Sequence, residues 1–268
     1  MNSRYIFRAR TPHAHLFKVL AEIMQSNLKT SCFQLKADGL YLRQMDENRS
    51  TLIDLKLNAD QFSSFEFNPV NKRGESSFFI GLTLTHLYKL LKTVKKKDSL
   101  GLYILRDTPT EIAIEVWPKV SKRVTTSFLT IQRVQNILVD VPTGYARDPF
   151  DILSHEFQKI YKDILSIGKT VSISATSKKI QFDVDAGGIV KRRVEYGEIE
   201  DEPSDCAKTS LYSQVFETEQ FVKLSKMSNL DATLLIYCDD NLPMKVSSNV
   251  GKMGTISIFV KSRMQMAG

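Results

Sequence analysis

LTHLYKLLKTVKKKDSLGLYIL (84–105) and TEQFVKLSKMSNLDATLLIY (218–237) carry one pattern twice. Each reads as an amphipathic helix, then a polar turn holding Asp98 or Asp231, then a strand. Lys89 matches Lys223 and Lys92 matches Lys226 at an offset of 134 residues, half of the 268-residue chain. A pattern that returns at a fixed period is the mark of one structural unit used more than once. It places the lysines at equivalent points of a pseudo-symmetric body, which points to a binding surface rather than a catalytic pocket.

Outward from those stretches the chain is rich in strands. SCFQL, GLYLRQM, TLIDLKL, IAIEVW, VSISAT, KIQFDVD and ISIFV alternate with period 2 and use many β-branched and aromatic residues. Four segments switch to helical spacing. The first opens at Thr11-Pro12, a capping residue followed by proline, and continues through Leu16, Leu20, Ile23 and Met24. The second is Thr83–Lys96, with Leu84, Leu87, Leu91 and Val94 inward. The third follows Ser154, with Phe157, Ile160, Tyr161 and Ile164 inward, and the fourth follows Thr218, with Phe221 and Leu224 inward. The order helix, strands, helix, strands, repeated once, predicts an α+β fold of two similar halves.

Composition narrows the function. Hydrophobic residues make up 42% and charged residues 25%, ordinary values for a globular chain. The start, MNSRYIFRARTP, lacks the apolar stretch of a secretion signal, and no apolar run reaches the roughly 20 residues that span a bilayer, so an intracellular protein off the membrane is expected. Cys32, Cys206 and Cys238 are odd in number and widely spaced, which suits reduced thiols rather than disulfides or a zinc site. A net charge of +7 favours a polyanionic partner.

At 100° per residue, Lys89 and Lys92 fall opposite Leu84, Leu87 and Leu91; Lys159 and Lys162 fall opposite Phe157, Tyr161 and Ile164. Lys223 and Lys226 point away from Phe221, and Lys18 lies opposite Leu16, Leu20 and Ile23, flanked by Ala14, Ala21 and Gln25. On any one helix such lysines are ordinary solvated charge. A lysine pair three residues apart on three of four helices leaves solvated charge and a polyanion-binding face evenly balanced. Like charges so spaced repel within a helix, so this reading finds no local structural motive for them.

Three stretches in register, DGLYLRQMDENRSTLIDLKL (38–57), HEFQKIYKDILSIGKTVSISA (155–175) and LPMKVSSNVGKMGTISIFV (242–260), resemble the proliferating cell nuclear antigen family of sliding DNA clamps. The resemblance is collinear over nearly the whole chain. It implies two topologically equal domains, each with two helices packed on antiparallel sheets, at 1–128 and 146–268 with a connector at 129–145. It further implies a homotrimer closed into a pseudo-sixfold ring, sheets outward and helices lining the hole, that encircles double-stranded DNA without reading its sequence. Lys18, Lys89, Lys92, Lys159, Lys162, Lys223 and Lys226 would meet the phosphates. Partners implied are DNA polymerase and other proteins with clamp-binding peptides, and an ATP-dependent clamp loader. No cofactor, metal or catalytic residue is implied, and the expected place is the nucleus or the replication site of a large DNA virus.

By the same resemblance a peptide pocket beside the connector would use Met45, Arg49, Leu52, Val139, Val141, Tyr145, Pro243 and Phe259. Read from the residues alone, most of these are equally plain core. Arg49 and Ser50 stand where the family usually has histidine and an apolar residue, and Lys261-Ser262 replaces a small residue and proline, so a more acidic partner motif is expected. The family's subunit edges correspond to Arg123–Leu129 and Ile189–Tyr196. Lys122 and Arg123 on one side and Lys191, Arg192 and Arg193 on the other could there bring like charge together, unless alternation turns some to solvent or acidic neighbours such as Glu195 compensate. A homotrimer is expected, with a weak trimer or a clamp working as monomer or dimer left open.

Enzymatic readings are weaker. Gly168-Lys169-Thr170 ends like a phosphate-binding loop, but Asp163 occupies the required upstream glycine position, and Gly187-Gly188 reads as a hairpin turn. His13 and His15 lack a partner at metal-ligand spacing. Three functions therefore stand: a ring clamp, a non-ring processivity subunit of the same fold held to DNA by charge, and a nucleic-acid enzyme dependent on divalent metal.

Overall fold

The computed structural model describes residues 4–68, 76–134, 139–198 and 212–267. Cys206, residues 135–138 of the expected connector and most of the acidic stretch 196–205 lie outside the described residues. By its contacts the chain divides into two units: 1–47, 53–139 and 249–256 form the first, and 48–52, 140–248 and 257–268 the second.

In the first unit β1 (Tyr5–Thr11) leads into α1 (Ala14–Asn27), followed by β2 (Thr30–Lys36), β3 (Gly39–Met45), β4 (Thr51–Asn58) and β5 (Ser64–Phe67). Then come β6 (Ser77–Thr83), α2 (Leu84–Leu91), β7 (Ser99–Leu105), β8 (Glu111–Trp117) and β9 (Thr125–Thr130). Five strands are ordered β5-β1-β7-β8-β9, and β4-β3-β2-β6 are neighbours in a second sheet. In β2 every second residue turns inward, so Phe33 and Leu35 are buried while Gln34 and Lys36 are not. Helices α1 and α2 place Phe17, Leu20, Ile23, Met24, Leu84, Leu87 and Leu91 into the core.

The second unit repeats this plan. It holds β10 (Phe150–Leu153), α3 (Ser154–Leu165), β11 (Thr170–Ala175), β12 (Lys179–Asp185) and β13 (Lys191–Gly197). These are followed by β14 (Tyr212–Glu217), α4 (Thr218–Leu224), a 3₁₀ turn over Ser225–Asn229, β15 (Thr233–Tyr237), β16 (Met244–Asn249), β17 (Gly254–Val260) and α5 (Arg263–Ala267). Strands run β13-β12-β11-β14 in one sheet, and β10-β15-β16-β17 are neighbours in another. Phe157, Ile160, Ile164, Phe182, Phe216, Phe221 and Leu224 fill its core. All strand pairings with a defined register are antiparallel, for example Val171 opposite Phe216, as the α+β expectation required.

The helix starts explain why the motif works as a pair. The first N–H groups of a helix have no partner inside it. Here Ala14 N donates to Asp98 O (3.3 Å), in the turn after α2, and Leu84 N donates to Lys29 O (3.0 Å), just after α1. In the second unit Ser154 N donates to Ala232 O (2.8 Å) and Thr218 N to Lys169 O (2.9 Å). Ser154 Oγ and Thr218 Oγ1 reinforce this, donating to Asp231 O (2.7 Å) and Gly168 O (2.9 Å). Each helix thus begins on the turn that follows its neighbour. Asp98 is buried, and its carboxylate accepts Lys95 N (2.9 Å) and Lys119 N (3.4 Å), which shapes the turn that α1 starts on.

Three helix boundaries differ from the spacing-based reading. Thr11 belongs to β1, opposite Leu100; its Oγ1 accepts His13 N (3.1 Å) and contacts Met253 Sδ (3.7 Å), so α1 begins only at Ala14. Helix α2 stops at Leu91. Val94, though buried, sits in the following turn with its N–H on Leu91 O (2.9 Å). Helix α4 gives way to the 3₁₀ turn after Leu224, so Lys226 does not lie on an α-helix. Ala14 and Ala21, placed on the outward flank by the periodicity, are fully buried, because the inward stripe of α1 runs through Phe17 rather than Leu16.

Gly39 and Gly254 are among the glycines that admit a close backbone approach. A Cβ on Gly39 would strike the Leu57 carbonyl oxygen, and one on Gly254 the Lys56 carbonyl oxygen, both on β4. Gly187, by contrast, has open space around it and a φ of +66°. Gly39→Ala and Gly254→Ala should each lower the unfolding free energy by about 3 kcal/mol. Gly187→Ala should cost only about 1 kcal/mol, the left-handed backbone penalty alone. Urea titration measures all three; equal costs would contradict the collision.

Candidate nucleic-acid interface

The seven lysines are placed by the helix pairs. Lys89 sits in the last turn of α2 and Lys92 is its C-cap residue; both are exposed. Lys159 and Lys162 are exposed on α3, Lys162 in its last turn. Lys223 lies in the last turn of α4, and Lys226 is the second residue of the 3₁₀ turn; both are half-buried. Lys89, Lys162 and Lys223 therefore lie at helix C-termini, where the partial negative charge of the exposed carbonyls stabilises a cation by about 0.3–1 kcal/mol. That is the local motive the sequence reading did not find.

Not every lysine is equally free. Lys18 is half-buried and its Nζ donates to Val94 O at 3.4 Å, satisfying a carbonyl beyond the end of α2. Lys159 Nζ lies 2.8 Å from Glu156 Oε1, which His155 Nε2 also approaches at 3.0 Å. Lys159 is the main reason the Glu156 carboxyl is held below the usual range. His15 is a residue whose part in this surface sequence spacing did not reveal. Burial first, then Lys18 and Lys96, push its pKa down, so α1 and the basic turn 95–97 share one field.

The residues expected to take a peptide divide between the units. Met45 and Val139 lie in the first and are half-buried. Arg49, Leu52, Val141, Tyr145, Pro243 and Phe259 lie in the second. Leu52 and Phe259 are buried, Val141, Tyr145 and Pro243 half-buried, and Arg49 exposed at a φ of +54°. Tyr145 donates its hydroxyl to Pro243 O at 2.6 Å, and its ring centroid is 5.6 Å from that of Tyr237. Lys245 Nζ rests 4.4 Å from the Tyr237 ring and 5.9 Å from each of Tyr145 and Phe259. Lys245 and Tyr237 thus bring Tyr145 and Phe259 into one aromatic cluster, and neither was singled out by sequence pattern.

Strands β9 and β13 are both sheet edges. On β13 each basic residue has an acid of its own unit: Lys191 Nζ is 3.3 Å from Asp185, Arg192 is 3.0 Å from Asp163 on α3, and Arg193 is 2.7 Å from Asp183. The expected clash of like charge is therefore offset on this edge. Apolar side chains stand exposed beside both edges, Val124 and Phe128 at β9 and Ile189 and Val190 before β13. Unpaired edge strands with exposed apolar residues are templates for another chain.

Gly168-Lys169 forms the turn between α3 and β11, which begins at Thr170, and the Gly168 and Lys169 carbonyls accept from Thr218, so the turn serves as a helix start rather than as a phosphate cradle of N–H donors. Cys238 is buried and its thiol pushed up to about 12 by that burial, consistent with an inert reduced thiol. Among the described residues there is no group of three or more His, Cys, Asp or Glu that could hold a metal ion, and no helix is long and apolar enough to cross a membrane.

Two family models match the chain: proliferating cell nuclear antigen, N-terminal domain, over residues 6–136, and proliferating cell nuclear antigen, C-terminal domain, over 150–263. The proliferating cell nuclear antigen of Chaetomium thermophilum is 21% identical over 259 residues, covering 95% of this chain and 97% of that protein. A probable DNA polymerase sliding clamp 1 of Paramecium bursaria Chlorella virus 1 is 18% identical, covering 95% and 96%. The crystal structure of the Entamoeba histolytica proliferating cellular nuclear antigen superposes with a TM-score of 0.81 at 19% identity, covering 97% of this chain and 99% of that one, and so shares its fold.

The β13 ladder predicts an acid-sensitive edge. The Gly188 N–H and Lys191 hold the Asp185 carboxyl below its ordinary value. A depressed folded-state value means that the stabilisation is complete above the ordinary range, near 3.9, and is lost as pH falls through the folded value. Unfolding midpoints followed from about pH 7 to about pH 3 should fall less steeply at the acid end in Asp185→Asn, which lacks this contribution at every pH. Identical acid limbs would contradict the pairing.

Proposed function

The chain belongs to the proliferating cell nuclear antigen family and is a sliding DNA clamp, a processivity factor for DNA polymerase, and from that premise we propose how its own residues serve that role. Three copies close through β9 of one and β13 of the next, and the lysine-bearing helix pairs line the hole around duplex DNA. The observation that carries this reading is the same arrangement in both units: two helices started on each other's turns, with apolar faces inward and Lys89, Lys92, Lys159, Lys162, Lys223 and Lys226 on the other side. Lys18 contributes less, being tied to Val94 O.

Lysine suits this chemistry. Contacts to phosphate carry no base information, and a flexible ammonium can pass from one phosphate to the next. Many weak, screened contacts let a ring move along DNA while topology keeps it there. Glu156 holds Lys159 in reserve, lowering the field without removing the cation. The chemistry asked of the chain is binding alone, so the role is a scaffold rather than a catalyst.

Polymerase and other partners would dock on the second unit's aromatic cluster of Tyr145 and Phe259, extended by Arg49, Leu52, Val141 and Pro243. Arg49 and Lys245 make an acidic partner peptide the better fit. Residues 139–149 carry neither strand nor helix, which supports a connector ending near 145 between domains at 1–128 and 146–268. A closed ring needs an ATP-dependent loader to open it, and the setting is the nucleus or a viral replication site.

Reversing Lys89, Lys92, Lys159 and Lys162 to Glu should abolish polymerase stimulation with the assembly state unchanged, while the thermal midpoint falls by a few degrees because the helix ends lose their cations. Single reversals should reduce the salt slope of DNA binding by about one unit each, as expected per neutralised phosphate. Full stimulation by the quadruple variant at moderate salt would overturn the helix assignment.

A further inference from the structure

The sheet β5-β1-β7-β8-β9 of the first unit carries a second charged surface, unrelated to the lysine-bearing helices. On β1, Arg8 stands opposite Tyr103 and Arg10 opposite Gly101. Gly101 in turn faces Glu115 on β8. Because Gly101 has no side chain, the Trp117 ring folds over it; a Cβ there would come within 2.5 Å of that ring. The result is a groove of about 230 Å³.

Both arginines rest on rings, and Arg8 has an acid beside it as well. The Arg10 guanidinium lies 4.3 Å from the Trp117 ring centre, and the Arg8 guanidinium 4.8 Å from that of Tyr5. Arg8 has Glu66 at 3.8 Å, outside hydrogen-bond distance, and among the described residues Arg10 makes no ion pair. A guanidinium stacked on a ring keeps its in-plane N–H groups available, and the stacking fixes it in place before any partner arrives. The two arginines leave the same face of β1 two residues apart, a Cα spacing of roughly 6.6 Å.

We propose that this groove binds an extended acidic peptide segment of a partner protein, with carboxylates at alternate positions seated on Arg8 and Arg10. The spacing carries the match: an extended peptide repeats its side chains on one face at the same interval as the strand beneath it. The strand β1 is paired on both sides, by β5 and β7, so the peptide lies across the sheet face rather than joining its edge. Glu66 and Glu115 decide against a nucleic acid. They sit among the arginines, where a polyphosphate would meet repulsion, whereas a peptide offers backbone and hydroxyl donors to them. Glu115 already accepts from the Tyr103 hydroxyl. This inference stands apart from the clamp reading, and its test uses the chain without DNA or polymerase.

Trp117 is the only tryptophan in the chain, so its emission reports on this groove alone. A capped peptide alternating glutamate and serine should change that emission saturably, and the change should weaken as salt is raised. The same peptide with glutamine for glutamate should give none. Arg8→Ala should weaken binding about tenfold, as expected for a lost charged hydrogen bond. Arg10→Lys, read by calorimetry, should weaken it also, since the charge remains but the fork is lost. Far-UV dichroism and thermal midpoint should be those of the parent for both. The proposal is overturned if the acidic peptide gives no saturable response, if the glutamine peptide binds equally, if Arg8→Ala leaves the affinity unchanged, or if oligothymidylate binds there more tightly than the peptide.

Discussion

Each helix of this protein has to find partners for backbone N–H groups that its own turns cannot satisfy, and it finds them on the turn that ends its neighbour. Ala14 reaches Asp98 O and Leu84 reaches Lys29 O; Ser154 reaches Ala232 O and Thr218 reaches Lys169 O. Neither helix of a pair is complete without the other, so the two are held head beside tail. Their apolar faces then enter the core together, and their polar faces leave it together. A basic surface built this way is positioned by backbone hydrogen bonds and core packing rather than by the lysines themselves.

That separation bears on function. Lys89, Lys162 and Lys223 sit where helix carbonyls welcome a cation, so the charge stabilises the helix end in the unbound protein and is not stored as strain. Binding a polyanion then asks for little rearrangement. On the β13 edge charge is instead consumed internally: Asp163, Asp183 and Asp185 take up its cations and leave an edge with unpaired backbone and exposed apolar side chains beside it.

Much of the fold was legible because the two periodicities are clean. Lys89 and Lys92 recur as Lys223 and Lys226, and β11 and β12 alternate strictly. What misled were residues with a second use. Thr11 looks like a helix cap, yet its strand pairing and its bonds to His13 and Met253 hold it in β1. Val94 continues the apolar spacing of α2 although it packs from a turn. The partners of β13 were invisible because Asp163 comes from a helix and Asp183 and Asp185 from the next strand; ion pairs across a sheet leave no local spacing. Lys245 was hidden in the same way: its three rings lie on separate segments of the second unit.

The central claim is closure of copies of this chain into a ring around DNA, and solution mass tests it most directly. Sedimentation across a wide range of protein concentration and salt should show one discrete species at three times the 30.5 kDa of the chain. A monomer or dimer that persists at high protein concentration would contradict it, and would mean that the chain is held to DNA by charge alone.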